Sequence, residues 1–171
     1  SIAISPNGQW LAVGAPFADH PHTNAGSVVL FENQSGTWIE STTLYLNYYR
    51  PNTQIGFSVA MTDSHVFVGS SPASGCAWGG CVVRFDLTDG AWSLGTTITP
   101  SDGHVNDKFG SSIALDGDDL IVGAWGNSTP GSDAGAVYHY GSVTTAPVEL
   151  NKYMSGLAAP SSDRFGVQVS T

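Results

Sequence analysis

Few residues in this chain have the types and spacing to do chemistry, and each has a plain structural alternative. Cys76 and Cys81 bracket Ala-Trp-Gly-Gly, whose glycines let so short a loop close; the pair is either a disulfide or two free thiols. A bridge there would stabilise by about 2 kcal/mol in the chain-entropy picture. Metal binding would need further ligands, and the sequence holds no second cysteine pair. Asp116, Asp118 and Asp119 form the one carboxylate cluster with a claim on a cation. They lie in a tight turn, too short to wrap an ion that takes about six to eight oxygens. His20 and His22, with Asp19, need a third ligand from elsewhere to hold a metal, and a solvated loop is the simpler reading. Asn33-Gln34-Ser35 and Asn127-Ser128-Thr129 are N-glycosylation acceptors in predicted loops or turns, the second followed directly by Pro130. Trp78 and Trp125, beside long loops, could stack on a sugar or anchor a partner protein, or could plug gaps between loops.

Catalytic signatures are absent. There is no G-x-S-x-G elbow, no H-E-x-x-H and no phosphate-cradling G-x-x-x-x-G-K. Ser, His and Asp abound, but no spacing marks a triad. His139 alternates with Tyr138 and Tyr140 and reads as an ordinary outward or half-buried side chain, while His65 and His104 show no evident partners. Asp107 and Asp163 precede Lys108-Phe109 and Arg164-Phe165. Their recurrence points to hydrogen bonding or turn formation more than to acid–base work.

The elements that must carry these residues come from a repeat. Phe109-Gly110 opens a segment with Ser112-Ile113-Ala114-Leu115, and Asp116-Gly117 signals a hairpin with positive φ at both residues. Leu120 to Ala124 then reads as an almost wholly apolar strand, and Gly135 to Tyr140 as a third. Two copies lie upstream, with matching glycines at 14, 69 and 123 and at 26, 80 and 135, and a further copy opens at Phe165-Gly166. A fourth strand per unit is expected at Thr37–Glu40, Ala91–Leu94 and Thr145–Leu150 after turns such as Ser35-Gly36 and Asp89-Gly90; Pro147 suits an edge strand. Trp38 and Trp92 recur in that strand and read as packing between neighbouring units. A period of about 55 residues with four strands fits a propeller blade.

The Phe-Gly opening, the Gly14-Ala15-Pro16 triplet and the closing Gly-x-Val-Tyr-like strand resemble the FG-GAP repeat, a family that includes the integrin alpha-subunit head and many secreted or surface proteins. Ile55-Gly56 departs from the opening, as Gly69-Ser70-Ser71 and Gly123-Ala124-Trp125 depart from the triplet. The resemblance implies an all-β propeller made of four-stranded blades, here an incomplete arc. Its expected units are 1–55, 56–108 and 109–164, with 165–171 as the first strand of a following blade. Several repeats of the family carry a D-x-D-x-D-G calcium loop between their first two strands. The turns here are too short for it, so no cofactor is expected in this stretch and calcium belongs, if anywhere, elsewhere in a full propeller.

Composition agrees with an all-β, loop-rich protein: 41% hydrophobic, 11% charged and 21 glycines among 171 residues. The net charge of −9 argues against nucleic acid and against an anionic membrane surface. No apolar run approaches the roughly 20 residues that span a bilayer. An open arc of three blades would expose apolar faces, which implies a segment of a larger propeller or copies that complete one another. The expected function is a non-enzymatic extracellular or cell-surface interaction module of an adhesion or assembly protein. Its partner would be a protein or further blades. The alternatives are glycan binding through Trp78 and Trp125, and a propeller appended to a secreted hydrolase.

Overall fold

The computed structural model describes residues 1–19, 21–46, 51–70, 79–129, 131–155 and 163–170. Twelve strands form three antiparallel sheets of four, each in sequence order, with no helix among the described residues. Sheet 1 holds β1 (Ile2–Ile4), β2 (Trp10–Ala15), β3 (Ser27–Gln34) and β4 (Thr37–Leu44). Sheet 2 holds β5 (Ile55–Met61), β6 (His65–Ser70), β7 (Cys81–Thr88) and β8 (Ala91–Ile98). Sheet 3 holds β9 (Phe109–Asp116), β10 (Asp119–Ala124), β11 (Ala136–Gly141) and β12 (Val148–Met154).

Local chemistry sets the turns. Ser35-Gly36 and Asp89-Gly90 both take positive φ in two-residue loops, the type I′ requirement that matches strand twist. The β9–β10 hairpin is shifted from its expected place. Asp116 pairs with Asp119, so the loop is Gly117-Asp118, and only Gly117 has positive φ, the pattern of a type II′ turn. β4 and β8 run about four residues past the expected segments. β12 starts only after Pro147, which has no N–H to give the ladder.

The sheets stack through their leading strands: β5 lies against sheet 1, and β9 against sheet 2. Alternation places Val66 and Val68 in a core shared with Ala12, Val28 and Leu30 of sheet 1, while Phe67 and Val82 enter a second core with Phe109, Ile113, Leu120 and Val122. Sheet 2 thus buries apolar side chains on both faces. Trp92 meets Trp10 of sheet 1 edge-on, with ring centroids 5.4 Å apart. Trp38, in the same place on sheet 1, is 36% exposed because no described sheet covers that face.

One device repeats at each junction and explains the glycines. A bulge at the start of β5 and β9 brings the carbonyls of Gly56 and Gly110 against the preceding sheet, and Gly166 repeats the placement. Each carbonyl accepts a hydroxyl from that sheet: Ser1 Oγ at 2.8 Å, Ser58 Oγ at 2.8 Å and Ser112 Oγ at 3.0 Å. A Cβ on Gly14, Gly69 or Gly123 would fall on these same oxygens. Parallel bridges from Gly26 to Ile55, Gly80 to Phe109 and Gly135 to Phe165 complete the seam.

Candidate partner-binding face

Strand direction sends the second-to-third strand loops and the sheet-to-sheet connections to one end, and the tight turns to the other. The loop end carries most of the residues singled out above. Trp125 follows β10 directly, is half-buried, and has the Arg164 guanidinium over its ring at 5.2 Å. One face of the indole is therefore already engaged. Trp78 lies outside the described residues, as does His20; His22 is exposed, and Asp19 accepts from the Asn24 backbone N–H at 2.8 Å.

Asp107 and Asn127 form the polar centre of this end. Asp107 is 2% exposed, and its Oδ2 accepts from the His104 N–H at 2.9 Å and from Asn127 Nδ2 at 2.9 Å. Asn127 Oδ1 in turn accepts from the Thr129 N–H. Among the described residues this end holds a concavity of about 510 Å³ lined by Thr99, Pro100, Ser101, Gly103 and His104, and one of about 320 Å³ lined by His104, Val105, Asp107, Ser128 and Thr129. Asp163 recurs at the Asp107 position and accepts from Ser155 Oγ at 3.2 Å.

The two sequons sit in different settings. Asn127 is 1% exposed and its amide nitrogen, the atom a glycan would occupy, is spent on Asp107. Asn33 lies at the turn end inside β3, not in a loop. Its amide donates to the Gly8 carbonyl, and its Oδ1 accepts from the Gly36 N–H at 2.7 Å, so it too braces a turn. In a glycosylating host, intact-mass and peptide mapping are therefore expected to find Asn127 unmodified in folded protein; an occupied Asn127 would mean this loop opens.

Asp116, Asp118 and Asp119 are all exposed and diverge. Asp118 Oδ1 accepts from the Thr144 N–H at 2.8 Å and from Thr144 Oγ1 at 2.6 Å, and those bonds hold its carboxyl below the usual range. Asp119 pairs with His139 at 3.2 Å. Among the described residues no three His, Cys, Asp or Glu side chains gather to hold a metal ion. Cys81 is fully buried at the head of β7; Cys76, its expected partner, lies outside the described residues.

Several contacts have no local signature in sequence. His65, read as unpartnered, has Nδ1 3.1 Å from both Thr62 Oγ1 and Ser64 Oγ, and burial pushes its pKa down against the pull of Asp86. Arg84 is buried in sheet 2, forks onto Asp86, and donates to the Val143 and Thr145 carbonyls in the β11–β12 connection at 2.7 and 3.1 Å. Tyr138 donates to Asp102 at 2.8 Å, and Lys152 meets the other oxygen of Asp102 at 2.7 Å. The single Tyr140 hydroxyl proton is shared between Glu149 at 2.9 Å and the Thr99 carbonyl at 3.1 Å, while Ser101 also binds Glu149. Burial alone would raise the Asp102 pKa; the hydrogen bonds from Lys152 and Tyr138 outweigh it and bring it below the ordinary value.

Fold and site together define an all-β repeat protein in which several buried polar side chains join one sheet to the next. Residues 92–140, from β8 through β11, match the family model described as FG-GAP repeat, so the chain carries a repeat of that family. No curated protein matches the chain. No helix among the described residues is long and apolar enough to cross a membrane.

Proposed function

We propose that the chain is an arc of an FG-GAP-type propeller that acts as a non-catalytic extracellular interaction module in an adhesion or surface-assembly protein. Its three units correspond to 1–55, 56–108 and 109–164, and 165–171 opens a fourth. The observation that carries this reading is the fate of the buried polar groups: Ser58, Arg84, Asp107 and Asn127 all bind backbone or side-chain partners in neighbouring sheets or loops. Groups so engaged are support for a binding surface and are poorly placed to act as nucleophile and base. The loop end, with Trp125 and the concavities beside Asp107, is the surface offered to a protein partner. A Cys76–Cys81 bridge would brace one of its loops, and no cofactor is assigned.

The test is retention of extracellular proteins on the immobilised chain. Binding is expected to fall at least tenfold for Trp125→Ala at the loop end and to be unchanged for Asp63→Ala at the turn end, where Asp63 caps the Asn7 N–H. Equal losses from both ends, or turnover in hydrolase assays, would overturn the reading. Glycan binding is the second reading, since Trp125 is a partly exposed aromatic at the loop end; a glycan array bound by wild type and not by Trp125→Ala would favour it.

A further inference from the structure

His65 heads β6 at the turn end, with its ring half-buried. The turn before it fixes which ring nitrogen carries the proton. Thr62 Oγ1 accepts from the Ser64 N–H at 3.3 Å and from the His65 N–H at 3.0 Å. Both lone pairs of that hydroxyl are then taken, so its own proton goes to His65 Nδ1, 3.1 Å away. Nδ1 is therefore an acceptor, and the ring is the neutral imidazole protonated at Nε2.

Nε2 looks toward a charged network that crosses from sheet 2 to sheet 3. Asp86 stands opposite His65 in the β6–β7 register, with Oδ1 4.0 Å from Nε2. That oxygen already accepts from Arg84 Nε at 2.7 Å, and Oδ2 accepts from the Arg84 Nη2 at 3.1 Å. Arg84 Nη1 holds the Val143 and Thr145 carbonyls of the β11–β12 connection, and Thr144 between them is held by Asp118 through its N–H and Oγ1. Gly95 of β8 lies against the Asp86 carboxylate, where a Cβ would fall on it, so that carboxylate has little room to move. Among the described residues the charges around the ring are Asp86 and Arg84 from β7 and Asp118 from the β9–β10 turn. Asp63, in the turn of His65 itself, is directed to sheet 1, where it accepts from the Asn7 N–H.

We propose that His65 is an acid-released latch on the seam between sheets 2 and 3: neutral, it leaves Asp86 to Arg84 and the seam is held; protonated, it loosens both its own turn and the grip of Arg84 on the β11–β12 connection. A proton on Nδ1 meets the Thr62 proton, with no lone pair left on that oxygen, so the Thr62 bond is lost and Ser64 Oγ at 3.1 Å is the acceptor that remains. The imidazolium also sets a second cation beside the Arg84 guanidinium and competes with it for Asp86 Oδ1. Burial comes first and pushes the pKa of the ring down; Asp86 pulls it up, Arg84 pushes it down and Asp118 pulls it up, with the balance below the ordinary value. The folded state thus takes the proton less readily than the unfolded chain, in which histidine titrates at about 6.5. The stabilisation is complete above about pH 6.5 and is lost as pH falls below it, by at most about tenfold in the folding equilibrium constant per pH unit. The latch lies at the end opposite the loop face and does not depend on what that face binds.

Urea unfolding of the full chain between pH 7 and pH 5 tests this, with His65→Gln, which takes no proton, as the reference. The ratio of the two folding constants cancels the other histidines and the carboxylates. Wild type is expected to lose ground against His65→Gln below about pH 6.5, by up to about tenfold per pH unit. Nitrogen NMR shifts of the wild-type ring at pH 7 should show Nδ1 bare and Nε2 protonated, with a titration midpoint below about 6.5. In folded wild type the exchange protection of the Arg84 Nε–H, corrected for the intrinsic rate, should fall between pH 7 and pH 5; in His65→Gln it should hold. Should the variant fail to fold, the ring titration and the Arg84 exchange of wild type decide by themselves. A ring that titrates at or above about 6.5, identical pH profiles in the two chains, or an Arg84 protection that ignores pH overturns the latch.

Discussion

Gly69→Ala is expected to destabilise the chain by about 3 kcal/mol or more, a large share of the stability of a domain this size. Gly69 has no positive φ, so alanine meets no backbone strain there. What it meets is the Gly110 carbonyl and Ser58 Oγ, both closer to the added Cβ than van der Waals contact allows. A side-chain tip could rotate away, but a carbonyl in the bulge of β9 moves only if sheets 2 and 3 separate. Overpacking of this kind costs about 1–3 kcal/mol, and losing the Ser58 hydrogen bond adds about 1. Ser58→Ala alone should therefore cost about 1–2 kcal/mol. Gly90→Ala is the control. Its φ is +77° with nothing near the added Cβ, so only left-handed strain of about 1–2 kcal/mol applies. Urea unfolding of the three variants checks the ranking. If Gly69→Ala costs no more than Gly90→Ala, the close approach of the sheets at this point is wrong.

Alkaline pH should unfold the protein through Tyr138 and Tyr140. Burial first, and then the hydrogen bonds to Asp102 and Glu149, push both phenols far above the usual tyrosine range. A folded pKa above the unfolded value of about 10 means the stabilisation is complete below that pH and is lost as pH rises beyond it. Each tyrosine removes about 1.4 kcal/mol per pH unit above about 10, so the pair removes about 2.7. Among the six tyrosines, these two are expected to ionise only together with loss of the β signal in circular dichroism. Tyr138→Phe and Tyr140→Phe should each cost about 1 kcal/mol at neutral pH and flatten the alkaline limb. Phenolate absorbance that reaches completion while the sheets remain intact would contradict the burial of these hydroxyls.

Some features were legible in sequence because they are local. Two-residue turns need particular φ values, and Ser35-Gly36 and Asp89-Gly90 supply them at once. The β9–β10 turn was misplaced by one residue because Asp-Gly fits either register, and pairing of Asp116 with Asp119 decides between them. Among the polar residues, recurrence was the only usable signal. It marked Asp107 as structural, yet it could not show that Asn127, read as a glycan acceptor, is its partner 20 residues away.

By itself the sequence determined the period, the four-stranded antiparallel unit and the recurrence of the glycines, since these follow from turn chemistry and alternation; that the glycines at 14, 69 and 123 admit the next sheet's carbonyl only the stacking showed. Tertiary structure alone decided the partners of Arg84, Tyr138, Tyr140 and Asn127, and which apolar faces lie open. Arg84 reaches carbonyls 59 and 61 residues away, and no local spacing encodes such a contact. A strand pattern fixes which side chains share a face; only the stacking of whole sheets fixes what that face meets.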